Sequence, residues 1–237
     1  MTWSIIARDT DGSFGVAIAS RFFAVGALCP YVRANVGAVA TQALCNPLYA
    51  APALDAMSRG DEPASIVGAL TAADAGRGHR QVHMIDARGR IGAHTGSSCV
   101  DWCGQSSGAG FSVAGNMLAG PAVLSATAAA YEAAASRPFA ERLIAALAAG
   151  QAAGGDKRGK QAAALLIATT EDYPALDLRV DDHPEPIAEL ERLYEKSGER
   201  FQPFVACLPS RNRPAGVIDR TVIEAEIERF RAARGKR

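Results

Sequence analysis

Thr2 stands one residue behind the initiator methionine and opens an apolar run, TWSIIAR, from Thr2 to Arg8. Methionine aminopeptidases remove Met1 when the next residue is small, and threonine qualifies. The residue then exposed carries a hydroxyl and a free α-amine together, the arrangement by which an N-terminal threonine activates its own oxygen. An α-amine has a reference pKa of about 7.7–8.0, so near neutrality it accepts the hydroxyl proton directly or through water. Threonine also follows methionine in many proteins without such chemistry, and this one residue does not separate the two readings.

Other nucleophile and cofactor signatures are missing. The sequence has no G-x-S-x-G, no phosphate-binding P-loop, no H-E-x-x-H and no G-x-G-x-x-G at a strand-to-helix turn. The four histidines, His79, His83, His94 and His183, show no spacing that pairs them with a serine or cysteine nucleophile. His83 lies mid-strand and reads as a packed or exposed strand residue. Cys99 and Cys103 form a pair in CVDWC, but Cys29, Cys45 and Cys207 are scattered, so neither a metal nor another cofactor is expected. An odd number of cysteines without an export signal implies reduced thiols and a cytoplasmic setting. Lys+Arg and Asp+Glu are both 25 in 237 residues. That balance disfavours nucleic acid and anionic membrane surfaces as partners, and no run approaches the ~20 apolar residues of a membrane span.

The elements that must position Thr2 follow from periodicity. Thr2 to Arg8 and Phe14 to Ser20 read as a hairpin around Asp9-Thr10-Asp11-Gly12, and Tyr31 to Gln42 as one or two further strands. Helical spacing covers Pro47 to Arg59 and Glu62 to Ala75. A second hairpin spans Gln81 to Thr95, followed by a strand over Gly110 to Met117 and helices over Leu124 to Ala135 and Phe139 to Gly150. Strands over Gln161 to Thr170 and Leu176 to Asp182 precede an amphipathic helix, Pro186 to Glu199. Antiparallel blocks separated by paired helices predict an α+β domain in four layers, α/β/β/α.

The blocks MTWSIIARD, GVAIASRFFAVGAL, VGAVATQALCNPLYA, GHRQVHMIDARG, GNMLAGP and GQAAGGDKRGKQAAALL resemble the DUF1028 family, from Thr2 to about Tyr194. That family is assigned to the N-terminal nucleophile (Ntn) hydrolases. The resemblance implies an αββα sandwich and cleavage of a carbon–nitrogen amide bond in a small or peptide-like substrate. It places Thr2 as nucleophile and Ser20-Arg21 as the corner beside it, with Ala19 where proteasome-type members carry an aspartate. Arg33, on the next strand, is either the cation that favours the alkoxide of Thr2 or an ion-paired strand residue. Gln42, Asn46 and Asn116 are candidate oxyanion donors, although residues of this kind are more often satisfied turn or cap residues. In GGDKRGK, Asp156, Lys157 and Arg158 are candidate substrate anchors, with His79 and Arg80 weaker ones; the alternative is a solvated turn.

Two functions remain open: an amidohydrolase working through Thr2, or a catalytically silent Ntn-fold protein binding a small ligand or cell-wall fragment. The predicted division is an αββα domain over 1–200 and a C-terminal arm over 201–237. Phe201 to Asp219 lacks a period, whereas Thr221 to Arg234 is helical with Ile223, Ile227 and Phe230 on one face. That stripe needs a cover, either its own domain or a neighbouring subunit, and the second predicts a homodimer or larger homo-oligomer joined through the arm. The N-terminal reading makes its own prediction: the intact mass of the purified chain lacks one methionine. Retention of Met1 would leave Thr2 without its base.

Overall fold

Alternation in the first strand, β1 (Thr2–Arg8), divides its side chains between two apolar clusters. Trp3, Ile5 and Ala7 point into one, and Ile6 into another. The structure, a computed structural model, describes residues 2–234. β1 lies inside a six-stranded sheet with β2 (Phe14–Ser20), β7 (Trp102–Gly108), β8 (Phe111–Leu118), β9 (Ala162–Ala168) and β10 (Leu176–Val180). The order is β10-β9-β2-β1-β8-β7. A second sheet has the order β3-β4-β5-β6, from β3 (Pro30–Arg33), β4 (Gly37–Ala43), β5 (Arg80–Asp86) and β6 (Ile91–Thr95). Every pairing in both sheets is antiparallel.

Helices α1 (Ala50–Ser58) and α2 (Pro63–Ala72) cover the outer face of the four-stranded sheet. Their Ala53, Leu54, Met57, Ile66 and Val67 meet Val39, Val82 and Met84. Helices α3 (Ala122–Ala133), α4 (Phe139–Ala152) and α5 (Pro186–Ser197) cover the larger sheet, burying Leu143, Leu147 and Leu190 against Trp3, Ile5 and Leu165. Between the sheets Ile6, Phe14, Val16, Ala38, Ala40 and Ile85 form a third cluster. The four-layer α/β/β/α sandwich expected from the sequence is the fold. β7 was not anticipated; its polar run WCGQSSG sits at the sheet edge with a register shift between Trp102 and Gly104. Among the described residues, no helix is long and apolar enough to cross a membrane.

The C-terminal segment contains a short helix, α6 (Phe201–Val205), in the stretch read as aperiodic, and a long one, α7 (Arg220–Arg234). Arg200 pairs with Glu224, and the Arg231 Nε–H donates to the Glu199 carbonyl at 2.8 Å. Ile227 is 1% exposed and therefore buried within its own chain, and Ile223 and Phe230 are partly covered there. Ile227→Ala should lower the unfolding free energy by about 2–5 kcal/mol in urea titration, the range for emptying a buried isoleucine site. Unchanged stability would mean that α7 contributes nothing to the fold.

Candidate functional site

The strand alternation that sends Trp3 and Ile5 outward sends Thr2, Ser4 and Ile6 into the space between the sheets. That space is graded. At one end it holds Ile6, Phe14, Val16 and Ile85; toward the other it holds Ser4, His83 and Ser112, then Thr2, Ser20, Gln42, Gln81 and Asn116, all buried. The register brings them together, because Thr2 lies opposite Ser20 on one side and Asn116 on the other, and Gln42 opposite Gln81.

Buried polar groups need partners, and these have them. The Ser4 hydroxyl donates to Gln42 Oε1 at 2.7 Å and lies 2.8 Å from His83 Nε2. With the serine proton given to Gln42, His83 is the donor at Nε2, and its Nδ1 accepts from the Ser112 hydroxyl at 3.0 Å. Gln42 Nε2 donates to Gln81 Oε1 at 2.8 Å, and Asn116 Nδ2 donates to the same oxygen at 3.0 Å. Asn116 also reaches the Thr2 carbonyl at 3.4 Å. Gln81 Nε2 is directed at Thr95 Oγ1, the Gly104 carbonyl and the Gly115 carbonyl. Burial alone drives the His83 pKa down to about 3, so the imidazole is neutral.

Thr2 Oγ1 lies 3.1 Å from Ser20 Oγ. Directly after Ser20, the Arg21 N–H donates to the buried carboxylate of Asp156 at 2.8 Å, and the Arg158 N–H donates to its other oxygen at 2.8 Å. The Arg21 guanidinium reaches the Arg158 carbonyl at 2.7 Å, and the Arg158 guanidinium returns to the Arg21 carbonyl at 3.0 Å. The loop bearing Asp156 is also tied to the end of β8, where the Ala119 N–H meets the Gly155 carbonyl at 3.1 Å. Lys157 pairs with Asp101 at 2.7 Å. Of the residues the sequence put forward, Thr2, Ser20, Arg21, Asn116, Asp156 and Arg158 are thus linked at one end of the sandwich.

Other expectations fall elsewhere. Gln42 is near but wholly committed inside the network. Asn46 is a cap, accepting the Leu48 N–H at 3.2 Å and donating to Asp74. Arg33 sits opposite Gly37, at the end of β4 far from Gln42, and pairs with Asp55 at 2.8 Å, so the ion-paired reading of it holds. His79 is exposed in a single 3-10 turn. Arg80 Nε pairs with Asp74 at 3.0 Å, and its Nη1 donates to the Leu44 carbonyl at 2.6 Å. The Arg80 guanidinium, with the Tyr49 hydroxyl and the Gly76 N–H, holds Asp74 well below the usual carboxylate range. Ser4, Gln81, His83 and Ser112 were not singled out as site residues; their signal is position on the inward face, visible only once the facing sheet is known. Among the described residues, no three of His, Cys, Asp and Glu gather as a metal site.

A sequence model of a family of unknown function, DUF1028, matches residues 2–190. The crystal structure of a DUF1028 protein from Silicibacter pomeroyi is similar, with 32% identity and a TM-score of 0.85. The match covers 92% of this chain and 99% of that one. A comparison with curated proteins finds no match.

The neutral His83 has a consequence for acid stability. Its folded-state pKa lies below its unfolded value of about 6.5, so above that pH neither state gains a proton and stability is complete. As pH falls from 6.5 toward 3, only the unfolded chain is protonated and stability declines. The His83 contribution should reach a loss of roughly 3 kcal/mol at pH 4. Urea unfolding of wild type and His83→Gln across pH 7 to 4 checks this. The variant should show a shallower decline, and parallel curves would contradict it.

Proposed function

The chain belongs to the DUF1028 family, and we propose that it is an amide-bond hydrolase whose nucleophile is Thr2 and whose base is the Thr2 α-amine, freed by removal of Met1. One observation carries this reading: the Thr2 side chain stands at the polar end of the inter-sheet layer, between Ser20 and Asn116, with its hydroxyl 3.1 Å from that of Ser20. This is also the position of the nucleophile in the Ntn hydrolases that the sequence resembles.

In the proposed reaction the amine takes the proton of Oγ1 as that oxygen attacks the substrate carbonyl carbon. The carbon–nitrogen bond then breaks, and the proton passes to the departing nitrogen. Water, deprotonated by the same amine, hydrolyses the ester left on Thr2 and restores the hydroxyl. Ser20 holds the Thr2 oxygen in line. Asn116 fixes the strand end through the Thr2 carbonyl. Asp156 holds the Arg21 and Arg158 main chain at the rim, where the two guanidinium groups favour a substrate with a carboxylate near the scissile amide. With Arg33 held at Asp55, Arg21 and Arg158 take over the role of cations near the nucleophile.

The same reading places the protein in the cytoplasm, its five cysteines unbridged. A homodimer or larger homo-oligomer remains part of it. The supporting surface is now the exposed Phe22, Phe23, Leu44 and Leu48, which follow β2 and β4 at the site end. Sedimentation at micromolar concentration tests that assembly.

The test of the mechanism is acylation by a β-lactone, which adds its whole mass to a nucleophilic threonine. The expected outcome is one adduct on the peptide beginning at Thr2. Thr2→Ala, or retention of a bulky residue ahead of Thr2, should slow labelling by about 10³-fold or more, with unfolding midpoints unchanged. Thr2→Ser should label. Absence of any adduct from a chain that has lost Met1 would favour the silent, ligand-binding alternative.

A further inference from the structure

We propose that Cys45 is a peroxide-reactive thiol and Cys29 its resolving partner, the pair closing to a disulfide at the Thr2 end of the sandwich. The inference is independent of whether Thr2 is a nucleophile.

The two thiols come from segments 16 positions apart in sequence that Thr41 fastens together. The Thr41 N–H donates to the Cys29 carbonyl at 3.1 Å, and Thr41 Oγ1 accepts the Asn46 N–H at 3.0 Å. Cys29 is buried with Ile18, Val25, Ala162 and Ala164, and the partly exposed Cys45 packs on that cluster. Arg80 grips the other side of Cys45 through the Leu44 carbonyl, while the Leu44 N–H donates to the His79 carbonyl at 3.1 Å. The accessible thiol is thereby held over a buried one.

The charges around Cys45 favour its thiolate. The Cys29 thiol, directed at the Cys45 sulfur, acts first, followed by the main-chain N–H of Cys45 and the Arg80 guanidinium. Against the opposing effect of burial they lower Cys45 below the ~8.5 of a free thiol. The same contact and burial keep Cys29 protonated. Among the described residues, further ionisable neighbours are Tyr31 on β3, raised by burial, and the Tyr49–Asp74 pair beside Arg80, where burial and the carboxylate push Tyr49 up to about 12. The other thiols are placed differently. Cys99 directs its thiol at the Arg80 carbonyl at 3.6 Å and Cys103 at the Cys99 carbonyl at 3.8 Å, and Cys207 is buried.

The Cys45 thiolate attacks one oxygen of hydrogen peroxide, breaking the O–O bond and leaving a sulfenic acid and hydroxide. The Cys29 sulfur then attacks the Cys45 sulfur. The S–O bond breaks, water departs with the Cys29 proton, and the disulfide forms. In sum, two thiols and one peroxide give one disulfide and two waters.

The test treats the full-length protein with stoichiometric hydrogen peroxide, alkylates the remaining thiols and maps the peptides by mass spectrometry. A Cys29–Cys45 cross-link reversed by dithiothreitol is expected first. Cys29→Ser should stop at a Cys45 sulfenic acid trapped by a cyclic 1,3-dione. On the untreated wild type, iodoacetamide alkylation of Cys45 should be half-maximal below the pH ~8–9 of an ordinary thiol, a readout that needs no variant. Oxidation beginning at Cys99, Cys103 or Cys207, or alkylation of Cys45 that rises only through pH 8–9, would overturn the proposal. Sulfenic acid accumulating at Cys45 of the wild type would overturn Cys29 as its partner.

Discussion

A polar side chain sealed between two β-sheets must find its hydrogen bonds there, because water is not at hand to replace them. Ser4, Gln42, Gln81, His83, Ser112 and Asn116 meet that condition only in one register of β1, β4, β5 and β8. A slip of β1 by one residue would turn Ser4 out toward the helices and bring Trp3 and Ile5 into the polar end of the layer. Ser4 would leave His83 Nε2 and Gln42 Oε1 without a partner, and each orphaned group costs about 1–3 kcal/mol. The hydrophobic pattern chooses the faces, and the polar network chooses the alignment along them. Small residues make the arrangement fit: Ala40 stands opposite His83, leaving room for the ring between the sheets.

The same alignment delivers the strand ends to one place. Thr2 begins β1, Ser20 ends β2, and Asn116 lies two residues from the end of β8. The loop that closes over them is shaped by glycine. Gly155 and Gly159 have φ of 51° and 113°, and a Cβ at Gly159 would crowd the Arg21 guanidinium at 3.1 Å. Between these glycines Asp156 turns inward and accepts two main-chain N–H groups, a carboxylate buried with its partners and not merely a solvated turn. Three strand ends and one loop are thus held by interactions that reinforce one another, and the position of Thr2 follows from the whole sandwich.

Much of this was legible from period and turn chemistry. β1 and β2 have the expected ends, and the helices over α4 and α5 differ only by frayed turns. β7 was hidden because WCGQSSG carries neither alternation nor β-branched residues; its strand state comes from pairing with β8, a tertiary effect. α6 was hidden because Pro203 sits inside a five-residue helix, too short for any period to register. Arg33 shows the limit of carrying a role across a resemblance. The residue is on the expected strand, but register puts it at the wrong end. Ser4, Gln81 and His83 look like ordinary strand polars in sequence, and only the facing sheet reveals that they are enclosed.

The network and its surroundings also divide the electrostatics of the site. The interior chain from Asn116 to Ser112 is neutral throughout, since burial keeps the His83 imidazole uncharged. Ionised groups stand at the perimeter and in pairs: Asp156 with Arg158, Lys157 with Asp101, Asp74 with Arg80. A neutral interior offers no side-chain base to a hydroxyl at its edge, because His83 is enclosed by Ser4 and Ser112 and its proton-binding nitrogen is occupied. On the proposed mechanism a base for Thr2 must then come from the main chain or from solvent. The proposal assigns that base to the free α-amine of Thr2. On the proposed mechanism, the layer that enforces the register is also what leaves the amine as the base.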